Sequence, residues 1–470
     1  MRKCTLLLLI LIACPPWALA QKEQAREIAR SLIAEKRIPG LSVSVIKDGK
    51  IIWSEGFGHA DLEQDVKVTP ETKFRIGSLS KLLTAATLAR LHERGLIDLD
   101  ASIHKYVPTF PRKKYDITVR QLAGHLGGIR HYAEGEFVNT RRYGSLGESL
   151  ERFKDSPLIN VPGTEYSYST FGYTLLGAAI EGAAKKDYAD CLQSEVLTPL
   201  NLRATVSDDN QKIIPKRTGF YSLGFDREWI HAPYTDNSDR AGLLSTTEDL
   251  VHFAEAHMTA GFLKQETLKM LFTPQKTTDG DPTLVGIAWR ISKDSKGRTL
   301  YHHGGSSIGG RGFLVVYPEE RLAIAVLLNL TFAQFDANDA LAILRPFQED
   351  SAEPDDESPP KSPSMDQKPE VNVTGVWKLT AKSGARTLEI ELDLKQNDAA
   401  FTGAISTSLG NGKIVNGKVS GRRFVGDVNV EVQGQPMVLQ LRGEIENGEM
   451  LGTIEGAGVP RMSFTGTQKE

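Results

Sequence analysis

The sequence predicts an α+β fold: one antiparallel five-stranded sheet flanked by helices and interrupted by a helical insert, then a separate small all-β barrel or sandwich. Three observations carry this. Near the start, Leu41 to Lys47 and Lys50 to Glu55 flank Asp48-Gly49, a two-residue turn that suits the twist of paired strands. Much later, Gly312 to Tyr317 and Leu322 to Leu330 flank Pro318-Glu-Glu-Arg321. Beyond an acidic, proline-rich break, short β-prone runs follow at roughly regular spacing.

The elements follow in order. A helix covers about Glu23 to Glu35, ahead of the first hairpin. Helical patterns dominate between the hairpins, including one introduced by Ser245-Thr-Thr-Glu248, which has capping-box spacing. A last helix covers about Asp336 to Leu344. Strands at both ends with a helical middle imply a sheet assembled from the domain's termini, the terminal helices on one face and the insert on the other. Residues 348–369 are too acidic and proline-rich to bury apolar surface and read as a linker. They divide a domain at 21–347 from a module at 370–470. In the module, Val373 to Trp377, Leu388 to Leu394, Phe401 to Ser406, Lys413 to Val419, Arg423 to Val428, Met437 to Glu444, Glu449 to Ile454 and Arg461 to Thr465 read as strands. It carries no catalytic constellation, which leaves it a binding or stabilising role.

Composition narrows the function. The chain has 470 residues, 40% apolar and 24% charged, with a formal charge of −3, which gives no electrostatic case for nucleic acid. Ser306-Ser307-Ile308-Gly309-Gly310 lacks the Gly-Lys-Ser/Thr ending of a phosphate loop. Residues 1–20 read as a secretory signal: Arg2 and Lys3, a short apolar core from Thr5 to Ala13, and Ala18-Leu19-Ala20 as cleavage site. Lipid attachment at Cys14 is the alternative; Pro15 and Pro16 favour plain cleavage and a secreted or periplasmic protein. No later segment has the unbroken apolar length of a membrane helix. Cleavage leaves Cys191 as the single cysteine, so no intramolecular disulfide forms. No Cys/His set has zinc spacing, and no cofactor is expected.

The chemistry concentrates at Ser78-Leu-Ser-Lys81. A hydroxyl and an amine three residues apart on a helix share a face, and a lysine in a partly dry pocket can take the proton that makes serine nucleophilic. Ser-x-x-Lys occurs four times, also at Ser44/Lys47, Ser102/Lys105 and Ser358/Lys361. Ser44 lies on a strand, where such positions face apart; Ser102 lies in a short polar connection and Ser358 in the linker. Only Ser78 opens a patterned helix, where it otherwise reads as an N-cap. Tyr166-Ser-Tyr168-Ser-Thr170 enters a second helix and offers a phenol that could relay the proton; alone it reads as a packed aromatic turn. Tyr301-His302-His303-Gly304-Gly305 ends a strand in glycines, where a backbone N–H can meet a reacting carbonyl and, with the Ser78 N–H, form an oxyanion hole; alone, the histidines read as ordinary strand-end residues.

Phe74-Arg-Ile-Gly-Ser78-Leu-Ser-Lys81, Tyr168-Ser169-Thr170 and His302-His303-Gly304 resemble, in order and spacing, the serine β-lactamase/penicillin-binding-protein superfamily. The resemblance spans about residues 22–346. It is nearest the class C-like group of D-alanyl-D-alanine carboxypeptidases, esterases and the mitochondrial serine β-lactamase-like branch. Ile117-Thr-Val-Arg-Gln-Leu-Ala-Gly-His125-Leu-Gly-Gly-Ile-Arg-His131-Tyr132 resembles that last branch. It implies a β-lactamase/transpeptidase-like fold, Ser78 as acylated nucleophile, Lys81 as proton acceptor and Tyr168 assisting. His302-His303-Gly304 would replace Lys-Thr-Gly, with the Gly305 N–H as an oxyanion donor. Thr170 stands where an Asn usually holds the substrate amide, and His302 where a lysine often stands near the substrate carboxylate. Both departures weaken the case for penicillin destruction and leave acyl-enzyme chemistry intact. The expectation is a serine hydrolase acting on a peptide, a peptidoglycan-like stem or an ester, with a carboxylesterase, a weak β-lactamase or a non-catalytic scaffold as alternatives.

Overall fold

A computed structural model of the chain describes residues 16–133, 135–138, 140–224, 228–233, 242–294, 296–348, 368–383, 386–407, 410–432, 435–446, 448–456 and 459–469. Cys14, most of the expected export signal, Ser358 and nearly all of the expected linker lie outside the described residues. The elements that position the site are helix α1 (Pro16–Glu35), strands β1 (Gly40–Lys47) and β2 (Lys50–Asp61), and helices α2 (Ser80–Glu93), α3 (Thr170–Ala184) and α4 (Thr247–Glu255). Strands β3 (Arg290–Lys293), β4 (Thr299–Ser307), β5 (Gly310–Tyr317) and β6 (Leu322–Leu328) and helix α5 (Ala337–Leu344) follow.

The first hairpin forms where its turn residues require. Asp48 and Gly49 both take positive φ, 50° and 74°, the backbone of the tight turn that matches strand twist. The sheet order is a short strand at Val66–Lys67, then β2, β1, β6, β5, β4 and β3. The five expected strands are its middle, and it is extended at each edge by a short strand. β1 pairs antiparallel with β6 from Leu41↔Leu328 to Lys47↔Leu322, so the first and last strands of the domain meet at the centre. Side chains alternate across this sheet. Val315, Ile324 and Val326 pack with Ala25 and Ala29 of α1 and Ile343 of α5. Leu314, Val316, Ala323 and Ala325 pack with the helices between the hairpins.

One cap lies a residue later than its spacing implies. Thr246, not Ser245, caps α4, its side chain accepting from the Asp249 N–H. Ser245 is the last residue of the strand Leu243–Ser245 and its hydroxyl bonds Thr205. Asp336 caps α5 with a complete capping box.

The C-terminal module is a closed barrel of β7 (Gly375–Ser383), β8 (Arg386–Asn397), β9 (Ala400–Thr407), β10 (Gly410–Ser420), β11 (Arg423–Val432), β12 (Gln435–Glu446), β13 (Glu449–Gly456) and β14 (Val459–Gln468). Each strand pairs with its sequence neighbour, and β7 closes on β14 from Trp377↔Gln468 to Lys382↔Ser463. Trp377, Leu392, Phe401, Phe424, Leu441 and Phe464 fill the interior, as expected of a barrel this narrow. Closure leaves no strand edge unpaired.

Candidate active site

Ser78 sits inside a 3₁₀ turn, Gly77–Leu79, that runs directly into α2. It therefore stands just ahead of the α-helix rather than as its first residue. Gly77 explains the tight entry. Its φ is 52°, and any Cβ there would lie 2.6 Å from the Ser306 carbonyl oxygen, so both the backbone and the close approach require glycine. Neither the turn nor α2 uses a side-chain cap, which removes the capping role for Ser78. Its hydroxyl instead accepts from Lys81 Nζ at 3.0 Å and from the Tyr168 hydroxyl at 2.9 Å. The other described Ser-x-x-Lys serines are engaged structurally: Ser44 bonds Thr247, and Ser102 caps a 3₁₀ turn and bonds Asp116.

Lys81 is buried. Its ammonium also donates to Thr170 Oγ1 at 3.2 Å and lies 5.1 Å from the Tyr168 ring centroid and 5.7 Å from that of Tyr173. Thr170 thus touches the lysine rather than standing apart from it. Tyr168 precedes α3, whose N-cap is Ser169. Burial alone would raise the phenol's pKa. The charge of Lys81, its hydrogen bonds with Lys81 and Ser78, and the charge of Arg290 outweigh burial and hold it below the ordinary tyrosine value.

Two imidazoles hold the Tyr168 loop. The Ser169 N–H donates to His125 Nδ1 at 3.2 Å, and the Thr170 N–H donates to His131 Nδ1 at 3.3 Å. Accepting at Nδ1 places the ring proton on Nε2. The His125 ring also packs at 4.4 Å from that of Tyr168. Burial, then the charge of Lys81, pushes His125 well below the usual histidine value, so it stays neutral.

Strand β4 forms the opposite wall. Alternation puts His303 and Gly305 on one face and His302 and Gly304 on the other. His303 is buried near Tyr168, with ring centroids 6.4 Å apart, and its Nδ1 donates to the Gly304 carbonyl at 2.6 Å. Gly305 abuts the nucleophile's turn: a Cβ there would sit 2.0 Å from the Ile76 carbonyl oxygen and 3.2 Å from the Leu79 nitrogen. His302 is not drawn into this cluster. It turns toward β3 and shares a hydrogen bond of 2.9 Å with Ser292 Oγ, and burial with the nearby Arg290 charge lowers it to about 4. A neutral His302 does not supply the charge of the lysine it was aligned with. The structure therefore joins Ser78, Lys81, Tyr168, Thr170, His303 and Gly305, keeps Gly304 as the acceptor for His303, and turns His302 away.

Three residues without an assigned role in the sequence belong to this site. His125 and His131 stood in the quoted motif, but their work is on backbone amides far along the chain. Arg290, at the start of β3, lies with its guanidinium carbon 5.9 Å from the Tyr168 ring centroid. Among the described residues, no cluster of three or more His, Cys, Asp or Glu could hold a metal ion.

A hydroxyl–amine–phenol cluster built around the buried Lys81 thus lies beside a glycine strand edge. Residues 25–346 match the beta-lactamase family, and the chain belongs to that family. The mitochondrial serine beta-lactamase-like protein LACTB of Homo sapiens is 31% identical, over 63% of this chain and 72% of that protein. In fold, the chain is similar to the octameric penicillin-binding protein homologue from Pyrococcus abyssi, with a TM-score of 0.66 at 20% identity, over 94% of this chain and 99% of that one. A class C beta-lactamase matches with a TM-score of 0.57 at 20% identity, over 69% of this chain and 94% of that one.

Proposed function

We propose that the chain is a serine hydrolase that cleaves amide or ester substrates through an acyl-enzyme on Ser78, with peptides of the D-alanyl-D-alanine type as its first substrate class. The observation that carries this is the hydroxyl of Ser78 within 3.0 Å of Lys81 Nζ and 2.9 Å of the Tyr168 hydroxyl. In the proposed sequence, Ser78 Oγ attacks the substrate carbonyl carbon and its proton passes to the Tyr168–Lys81 pair. The N–H groups of Ser78 and Gly305 hold the oxyanion. The tetrahedral intermediate collapses, the same pair returns the proton to the leaving amine or alcohol, and water then releases the acyl group by the reverse path. The neutral His302 and the Thr170–Lys81 bond both depart from the pattern of penicillin-destroying relatives and leave acyl-enzyme chemistry in place.

Incubation with a fluorophosphonate, or with an activated ester, should raise the intact mass by one adduct, mapped to Ser78. No adduct, or one mapped elsewhere, would leave the fold without this chemistry and support the scaffold alternative. A second outcome tests the oxyanion site. Gly305→Ala forces a methyl group into the Ile76 carbonyl and should slow acylation by about a hundredfold or more, the usual cost of one lost donor; rates within threefold of wild type would remove Gly305 from that role.

We further infer export, with cleavage after Ala20. This would trim the start of α1 but spare Ala25 and Ala29, which carry its packing. N-terminal sequencing of the mature protein checks it. We also infer the division into a hydrolase domain at 21–347 and an accessory barrel at 370–470, for which limited proteolysis within 348–369 is the measurement.

A further inference from the structure

We propose that the C-terminal barrel steadies the Tyr168 loop through a continuous stack of rings running from Phe332 to His131, with Phe332 and Phe137 as positioning residues for the reaction at Ser78. The effect on rate rests on the proposed acyl-enzyme chemistry; the physical coupling does not.

Phe332 lies in Thr331-Phe-Ala-Gln-Phe335, within the connection from β6 to α5. Both flanks of this connection are fixed to the hydrolase domain. Thr331 Oγ1 accepts from the Gly309 N–H at 2.7 Å and donates to the Tyr221 carbonyl at 2.9 Å. The Phe335 carbonyl accepts from Arg311 Nε at 3.1 Å. Ala333 and Phe335 pack into the α1 side of the sheet. Phe332 does not join them. It packs against the apolar cluster of the barrel, and the strand Tyr221–Leu223 touches the barrel at β12. Its φ is 49°, a left-handed conformation that is costly for a bulky side chain and persists only where the surroundings dictate it.

On the side of the hydrolase domain the ring of Phe332 stacks on Phe137, with centroids 5.5 Å apart and planes 22° apart. Phe137 meets Tyr132 edge-on at 5.9 Å. Tyr132 stacks on His131 at 4.5 Å and stands edge-on to Phe171 of α3 at 5.2 Å. His131 meets the Tyr168 ring edge-on at 5.4 Å and takes the Thr170 N–H on its Nδ1. Thr170 Oγ1 in turn accepts from Lys81. Rings in contact therefore reach from the barrel to the loop that carries the phenol.

The loop needs this support. His131 is exposed and Tyr132 half-buried, so burial fixes neither firmly. Glu136 ties the Phe137 turn back to Arg130 at 2.6 Å and to the Ala133 N–H at 2.6 Å, which closes the turn without touching His131. An exposed imidazole accepting at 3.3 Å holds a backbone amide weakly by itself. The stack behind it fixes the plane of the ring.

The test compares Phe332→Leu and Phe137→Leu in the full-length protein. Leucine keeps an apolar contact and removes the ring face. Millisecond hydrogen–deuterium exchange, read by mass spectrometry over residues 166–172, should quicken by about three- to tenfold, the worth of one aromatic pair. Acylation by an activated ester should slow by a similar factor at saturation, with the half-saturating concentration unchanged. Phe332→Tyr, which retains the ring, should stay near wild type in both. The double variant should be no slower than the slower single variant, because both substitutions break one path. If Phe332 merely fastens the barrel, exchange quickens in the barrel and at 330–335 while residues 166–172 and acylation stay as in wild type; that result overturns the proposal, as do effects of the two substitutions that multiply. Should Phe332→Leu fail to fold, Phe137→Leu decides by the same exchange readout. A wild-type protein that forms no adduct on Ser78, yet whose exchange over 166–172 responds as expected, overturns the acyl-enzyme reading and upholds the coupling.

Discussion

Lys81→Ala should lower the acylation rate of an activated ester by about a hundred- to ten-thousand-fold, the span of general acid–base contributions, while leaving the fold intact. The variant loses two things at once. The amine that bonds Ser78 Oγ is gone, and so is the largest positive influence holding the Tyr168 phenol below its ordinary value. Lys81→Arg should not rescue, since a planar guanidinium neither fits the place of a single ammonium between Ser78 and Thr170 nor gives up a proton. Stability behaves differently. Removing a buried ammonium with no carboxylate partner among the described residues relieves a desolvation cost, and the lost alkyl chain leaves a small cavity that works against it. The two effects oppose each other, so the melting temperature should move by only a few degrees. Stopped acylation kinetics beside a thermal scan separates the roles: a variant that is inactive because it is unfolded would make Lys81 a structural residue.

The parts of this site that were legible in the sequence are those set by local geometry. Ser78 and Lys81 are three residues apart, and a helical turn alone makes them meet. The strands were legible because alternation and turn residues are local too; Asp48-Gly49 turns the first hairpin, and each of the eight barrel strands overlaps its expected run, although the first starts at Gly375 and continues to Ser383. Tyr168 is ninety residues from Ser78 in sequence, and without the family resemblance its pattern described a packed turn equally well. His125 and His131 were harder still, because their partners are main-chain amides 44 and 39 residues away and a backbone N–H leaves no mark in a side-chain pattern.

β3 escaped for another reason. Arg290-Ile-Ser-Lys293 is four residues long, shorter than any window in which period two can be counted. The residues before it, Ile287, Ala288 and Trp289, are fully buried without forming a strand. With β3 unseen, Arg290 had no place, and His302 was aligned with the lysine of the family pattern as a departure from it. Strand alternation settles that assignment: one residue along β4 changes the face, which turns His303 to the phenol and His302 to Ser292.

Acid should unfold this protein steeply, beginning well above the range where carboxylates titrate. Four histidines, three of them buried and His302 partly so, are held toward the neutral form in the native state. Burial pushes His257 to about 4, partly opposed by its bond to the Phe253 carbonyl; burial with the Arg290 charge brings His302 to about 4; His125 and His303 move the same way. An unfolded histidine takes a proton near pH 6.5. Above that value neither state is protonated, and stability is whole. As pH falls from about 6.5 toward 4, the unfolded chain binds protons that the native state refuses, so stability drops. His257 and His302 each withdraw about 3 kcal/mol over that window, against a total that is typically about 5–15 kcal/mol. Glu181, Asp249 and Asp339, whose carboxyls are raised chiefly by burial, act in the opposite sense and offset part of the loss. His257 isolates the effect, because it packs against Phe253, Phe262 and Trp289 and touches none of Ser78, Lys81 or Tyr168. Urea unfolding of wild type and His257→Phe at pH 7 and pH 4.5 should show the variant gaining on wild type by about 2–3 kcal/mol as pH falls, whatever its stability at neutrality. Equal slopes for the two proteins would mean that this imidazole is already protonated, or already exposed, in the native state.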